Sequence, residues 1–267
     1  MSRTSPSRRS APGAARPARL RADGARFRAV VTDVDGTLTD ADRRLDPLAF
    51  DCVRRLEGRG IPVVLATGNV LPITLALHRF LGLSGPIVAE NGGVVCRRSG
   101  GRERVERLAD RAIALRAYRA VRRAGLPVER LFTDRWRESE VALEPSVPIR
   151  SIRRALRSSG LAVEAIGTGF ATHLMEAGAG KLPGLERALA PLGLAPADCV
   201  VLGDGDNDVG ILRAAGFGVS FPSASPRARA AARYVTRAEF GRGFVEGLKA
   251  SGILNRPPFS EEGSRCS

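Results

Sequence analysis

The residues in this chain best suited to chemistry are Asp33 and Asp35, in the run Asp33-Val34-Asp35-Gly36-Thr37 directly behind the apolar stretch 27–31. Two carboxylates at i and i+2 on a strand end point to the same side, and Gly36 permits a sharp turn after them. One can attack an electrophile while the other moves a proton. Alone, the run is an acidic turn after a strand, so it counts as a site only if the chain supplies partners.

Three further segments are candidates. Thr67-Gly68-Asn69 offers a hydroxyl and free backbone amides before a helix, a geometry that receives phosphate. Gly203-Asp204-Gly205-Asp206-Asn207-Asp208 adds Asp204 and Asp208. Carboxylates crowded at neighbouring strand ends repel one another unless a divalent cation sits among them, and Mg2+ suits an all-oxygen site that shares a substrate phosphate. A phosphoryl group in transfer needs positive charge beyond that metal. Lys181, one of two lysines beside 40 arginines, stands where a helix begins; a compact ammonium there suggests a steric requirement that a guanidinium would not meet.

These segments need strands to carry them. Apolar runs at 27–32, 61–66, 86–89, 199–202 and 217–221 read as buried strands, alternating with helices at 48–56, 71–80, 182–192 and 208–215. This is the rhythm of a parallel α/β sheet, which places its ligands at the strand ends. Between 95 and 177 the texture changes: helices at 108–123 and 149–157, with extended segments at 127–133, 138–143, 162–166 and 171–175, make a compact α+β insert. The expected organisation is a sheet domain from 27–94 and 178–254, the insert, a disordered N-terminal extension over 1–26 and a loose tail over 255–267.

Composition narrows the classes. The net charge of +14 and a pI near 11.2 invite a nucleic-acid reading, but residues 1–26 hold seven Arg and one Asp, so +6 of the +14 lies in that extension. The rest is arginine spread over the fold, and nucleic-acid binding is the minor alternative. The apolar stretch 61–77 is broken by Pro62, Gly68 and Pro72, so nothing spans a membrane. Four scattered cysteines with no CxxC pair and no signal peptide suit a reducing cytoplasm. A homodimer is left open.

The four segments, with Ala66 before Thr67, resemble the motifs of the haloacid dehalogenase superfamily of phosphohydrolases over nearly all of 27–248. The resemblance implies a Rossmann-like core with an inserted C2-type cap. The segments 89–94, 140–143 and 169–175 are similar to archaeal-type phosphoglycolate phosphatases, with sucrose-phosphate and mannosyl-phosphoglycerate phosphatases as relatives of the same layout. Gly180-Lys181-Leu182 departs from the family's Asp/Ser-Lys-Gly.

The resemblance implies a Mg2+-dependent phosphoric monoester hydrolase acting on a small-molecule phosphate ester, with 2-phosphoglycolate as the expected substrate and sugar phosphates as the alternative. Asp33 would be the nucleophile that forms an aspartyl-phosphate, and Asp35 the acid/base. Asp33, the backbone carbonyl of Asp35, and Asp204 would hold Mg2+, with Asp208 on its waters. Thr67, Gly68 and Lys181 would grip the phosphoryl group, Asn207 would orient Lys181 or the phosphate, and Thr37 would position Asp35. Arg135, Arg137 and His173 are candidates for a substrate carboxylate, set against ordinary solvated arginines and a satisfied interior histidine.

Overall fold

The computed structural model describes residues 27–255. The expected N-terminal extension, nearly all of the C-terminal tail and Cys266 lie outside the described residues. The chain runs β1 (Ala29–Thr32), α1 (Pro47–Gly58), β2 (Val63–Ala66), α2 (Leu71–Leu81), β3 (Ile87–Ala89), β4 (Val94–Ser99) and β5 (Arg102–Arg107). It continues with α3 (Arg111–Arg123), β6 (Val141–Leu143), α4 (Ile149–Ser159), β7 (Val163–Gly167) and β8 (Thr172–Glu176). The remainder is α5 (Lys181–Leu189), β9 (Cys199–Leu202), α6 (Val209–Ala214), β10 (Phe217–Ser220), α7 (Pro226–Ala231), β11 (Tyr234–Val235) and α8 (Phe240–Ser251).

One sheet carries eight strands in the order β11-β10-β9-β1-β2-β3-β4-β5, parallel from β11 to β3. Every residue of β1, β2 and β9 is buried, as expected of parallel strands covered on both faces. Val30 pairs with Val63 on one side and Val200 on the other, so β1 is central. The chain leaves β1 toward β2 and later returns to β9 on the other flank. That reversal is a topological switch point, where an open α/β sheet forms its crevice. Asp46 caps α1 by accepting from Leu48 N and Ala49 N, with Pro47 at the first helical position.

The insert has its own antiparallel sheet, β6-β8-β7. Ala114, Ala117 and Val121 of α3 and Ile152 and Leu156 of α4 pack on Val141, Leu143, Ala165 and Leu174 of that sheet, a core separate from that of the large sheet. Two expectations are corrected. The stretch from residue 95, expected to open the insert, instead pairs as the β4–β5 hairpin onto the edge of the large sheet. Residues 127–133 form no strand: they meet β6 at a single bridge from Arg130 and then enter a 3-10 turn at Phe132–Trp136. No described helix is long and apolar enough to cross a membrane.

Candidate active site

Asp33 directly follows β1 and is 6% exposed. Its backbone N donates to Leu202 O of β9 at 3.0 Å and its Oδ1 accepts from Val34 N at 2.8 Å, so the adjoining strand and the turn fix the carboxylate. Gly36 then takes φ +75, and a Cβ there would overlap the Asp204 carboxylate. Glycine thus serves both the turn and the close approach of the two acidic loops. One oxygen from each of Asp33, Asp204 and Asp208 lies within 4.8 Å of the others.

Lys181 begins α5 with its side chain fully buried; its Nζ donates to Asp208 Oδ1 at 2.7 Å and lies 3.1 Å from Asp33 Oδ1. The backbone before it is tightly set, because a Cβ on Gly92 would overlap Gly180 O and one on Gly184 would overlap Gly92. Asp208 Oδ2 accepts from Gly205 N at 2.9 Å and Asp204 N at 3.2 Å, which curls the acidic loop around it. Burial alone would push the Lys181 ammonium down, but Asp208 and Asp33 outweigh it and hold the group protonated. Burial raises the Asp33 carboxyl well above the usual range despite Lys181, and Asp208 and Asp204 add to it. Burial, then Asp208, pushes Asp204 up to about 7. Three carboxylates with one ammonium leave an excess of buried negative charge that a divalent cation would neutralise, so the donor set fits a hard metal ion.

Asp35 stands outside that cluster. Its Oδ2 accepts from Asn69 Nδ2 at 2.7 Å and its Oδ1 from Arg43 Nε at 3.0 Å. The Thr67 hydroxyl accepts from Asn69 N at 3.1 Å and Asn69 Nδ2 at 3.3 Å, which leaves its own proton free to donate. The Thr37 hydroxyl faces Asp204 Oδ1 at 3.5 Å rather than Asp35, which differs from its expected role. Asn207 Nδ2 donates to Asn91 Oδ1 at 2.9 Å and not to Lys181, which leaves the phosphate as its expected partner.

Asn91 belongs to a joint between sheet domain and insert to which the sequence reading gave no role. Glu90 and Asn91 both take left-handed backbone, φ 50 and 53. The Glu90 carboxylate accepts from Glu138 N, Ser139 N and Ser139 Oγ of the insert. Asn91 Nδ2 donates to Glu140 Oε2 at 3.0 Å. Glu140 Oε1 takes the Arg137 guanidinium and His173 Nδ1, and Arg137 Nη1 donates onward to Gly68 O at 3.0 Å. Burial would raise the Glu140 carboxyl, but His173 and Arg137 overcome it and hold it at about 2. Arg137 and His173 are therefore interior residues engaged with Glu140. Arg135 is exposed, with its guanidinium 4.3 Å from the Phe132 ring centroid.

A buried lysine is thus braced by carboxylates from two strand ends. The chain matches the haloacid dehalogenase-like hydrolases over residues 30–136 and 153–246. It belongs to that family. It is accordingly an enzyme, a hydrolase. A phosphoglycolate phosphatase from Methanothermobacter thermautotrophicus is 38% identical over 224 residues, covering 84% of this chain and 98% of the relative. Another from Methanopyrus kandleri is 39% identical, covering 82% and 95%. The fold is also that of Thermoplasma acidophilum 0175, with a TM-score of 0.76 at 24% identity over 85% of this chain and 99% of the other. Haloacid dehalogenase-type phosphatases typically use a metal ion, and this member has the acidic cluster to hold one.

Proposed function

We propose that this hydrolase is a Mg2+-dependent phosphatase that cleaves 2-phosphoglycolate to glycolate and phosphate through an aspartyl-phosphate on Asp33. The observation that carries the reading is Lys181 Nζ placed between Asp208 Oδ1 at 2.7 Å and Asp33 Oδ1 at 3.1 Å. A buried cation thereby stands against the carboxylate that must approach an anionic phosphate. The substrate is proposed from the relatives, which carry that activity in their names over almost their whole length.

Asp33 attacks phosphorus in line with the ester oxygen; the new carboxylate–phosphorus bond forms as the ester bond breaks. Asp35, oriented by Asn69 and Arg43, gives its proton to the departing alkoxide. It then takes one from the water that attacks the aspartyl-phosphate, which releases phosphate and restores Asp33. Lys181 and the free Thr67 hydroxyl proton bind phosphoryl oxygens, with the Gly68 amide beside them. Asp33, the main chain of Asp35, and Asp204 would hold Mg2+, with Asp208 behind, and the ion would offset the repulsion between carboxylate and phosphate.

A panel of small phosphate monoesters assayed with Mg2+ and with chelator tests this reading. 2-Phosphoglycolate is expected among the highest kcat/KM values, with activity lost in chelator and restored by Mg2+. If it ranks low while sugar phosphates rank high, the substrate assignment falls and the phosphatase stands.

The cluster also sets an expected pH dependence. Asp204 is pushed up to about 7, so below pH 7 a proton competes with the metal. In the metal-free protein, a carboxyl raised by burial contributes stability while protonated and loses it as pH rises through about 7. The increase in Tm on adding Mg2+ is therefore expected to be larger at pH 8 than at pH 6 in a thermal melt. An equal or smaller increase at pH 8 would contradict metal binding at Asp204.

A further inference from the structure

Arg43 lies outside the four strand-end segments, yet one guanidinium joins the sheet domain to the insert. Its Nε donates to Asp35 Oδ1 at 3.0 Å, and its Cζ lies 4.4 Å from the ring centroid of Phe170, which the insert presents between β7 and β8. Phe170 is in turn edge-on to His173, with centroids 6.5 Å apart, so the ring rests on the buried Glu140 joint. The backbone beneath Arg43 is equally specific. Asp40 Oδ1 accepts from Asp42 N and Arg44 N, both at 2.9 Å, and Arg43 N donates to Asp40 O at 3.0 Å. That knot holds Arg43 at φ +62, a conformation most L residues avoid.

The far edge of this guanidinium is open. Its side chain is 54% exposed, and Nη1 and Nη2 make no hydrogen bond to any described residue. A planar fork, fixed in orientation by Asp35 at one edge and an aromatic face beside it, fits a carboxylate at the other. The three insert cations that the sequence offers for a substrate carboxylate are engaged elsewhere. Arg137 and His173 are engaged with Glu140, and Arg135 is stacked on Phe132 and Trp136.

We propose that Arg43 determines leaving-group specificity: its open guanidinium edge binds a carboxylate carried by the leaving group, between Asp35 and Phe170. The proposal rests on the phosphatase reading above. Asp35 must reach the ester oxygen to protonate it, so whatever is bonded to that oxygen lies beside Asp35 and hence beside Arg43. A carboxylate one methylene from the ester oxygen falls within reach of a donor already in contact with Asp35. A short neutral tail leaves the fork to water.

The test compares 2-phosphoglycolate with its carboxamide, which matches it in size and lacks the charge. Wild-type enzyme is expected to favour the carboxylate by about ten- to a hundredfold in kcat/KM, chiefly through KM. Arg43→Gln is expected to bring that ratio close to one. Arg43→Lys is expected to keep only part of it, because an ammonium lacks the fork. A variant Arg43→Gln that retains the preference, or that loses both substrates by the same factor, overturns the assignment of Arg43 and leaves the phosphatase reading standing. So does a wild-type enzyme that turns over both esters equally. A wild-type enzyme inactive on every phosphate monoester instead overturns the phosphatase reading itself.

Discussion

Replacing Asp33 by Asn is expected to lower kcat for every phosphate monoester by at least about 10^4-fold, because in the proposed mechanism the group removed is the one that forms the covalent bond to phosphorus. The same change should leave the fold at least as stable as wild type. Asp33 is buried, and desolvation raises its carboxyl despite Lys181, so an ionised oxygen at this position is a burden on the folded state. Asn keeps the shape and can still accept from Val34 N, as Asp33 Oδ1 does at 2.8 Å. Lys181 keeps its shorter contact, to Asp208 at 2.7 Å. Steady-state rates, an acid quench for a phosphorylated enzyme and a thermal melt check the three parts. Substantial surviving turnover, or a phosphoenzyme formed by Asp33→Asn, would remove Asp33 as nucleophile. A large drop in Tm would mean that the lost rate reports folding rather than chemistry.

The residues of this site differ in how plainly the sequence displays them, for physical reasons. β9 falls at 199–202 as read, because a short run of apolar residues bounded by a glycine-rich acidic turn has few alternatives in a parallel sheet. Lys181 stood out by its rarity and proves buried at the start of α5. Residues that act through distant partners carry no local sign of the pairing, even where their segments carry the resemblance. Asn91 and Glu140 are 49 positions apart in the chain, and nothing local in either announces the pair. Arg137 reads either as a partner for a substrate carboxylate or as one more solvated arginine, because charged side chains are seldom buried, yet Glu140 and Gly68 O together hold it inside. Arg43 is hidden among 40 arginines; the signal that could have found it is its place in the acidic turn 40–44, a few residues after Asp33-Val34-Asp35-Gly36.

Elements were missed on the same grounds. Arginines and glutamates mask the β4–β5 hairpin as a solvated stretch, although Gly100 and Gly101 both take positive φ at its turn, as a two-residue hairpin loop requires. Gly241, Gly243 and Gly247 make α8 a poor helix by propensity. Packing explains them, because a Cβ on Gly247 would overlap Val219 of β10 and one on Gly241 would overlap Asp46. Close approach to its neighbours outweighs the helix's own preference there.

Lys181→Met is the second large change expected, and it separates charge from shape. Methionine roughly fills the volume of the lysine stem but leaves Asp33 and Asp208 without their shared ammonium. Breaking a buried ion pair from one side costs about 3–5 kcal/mol, and here the uncompensated charge comes from carboxylates that already include Asp204. Two responses can relieve it. The carboxyls can take up protons, since burial already raises Asp33 and Asp204, or a divalent cation can bind. In chelator, the stability lost by Lys181→Met relative to wild type is therefore expected to be larger at pH 8 than at pH 6, and Mg2+ should recover part of it. Turnover should not recover with the fold, because in the proposed mechanism Lys181 is a donor to the phosphoryl oxygens that the metal cannot replace; a fall in kcat/KM of about 10^3-fold is expected at saturating Mg2+. Denaturant unfolding at the two pH values, with and without Mg2+, alongside steady-state kinetics reads all of these. A variant as stable as wild type in chelator at pH 8 would mean that the three carboxylates do not share a buried negative charge, and the case for a metal among them would go with it.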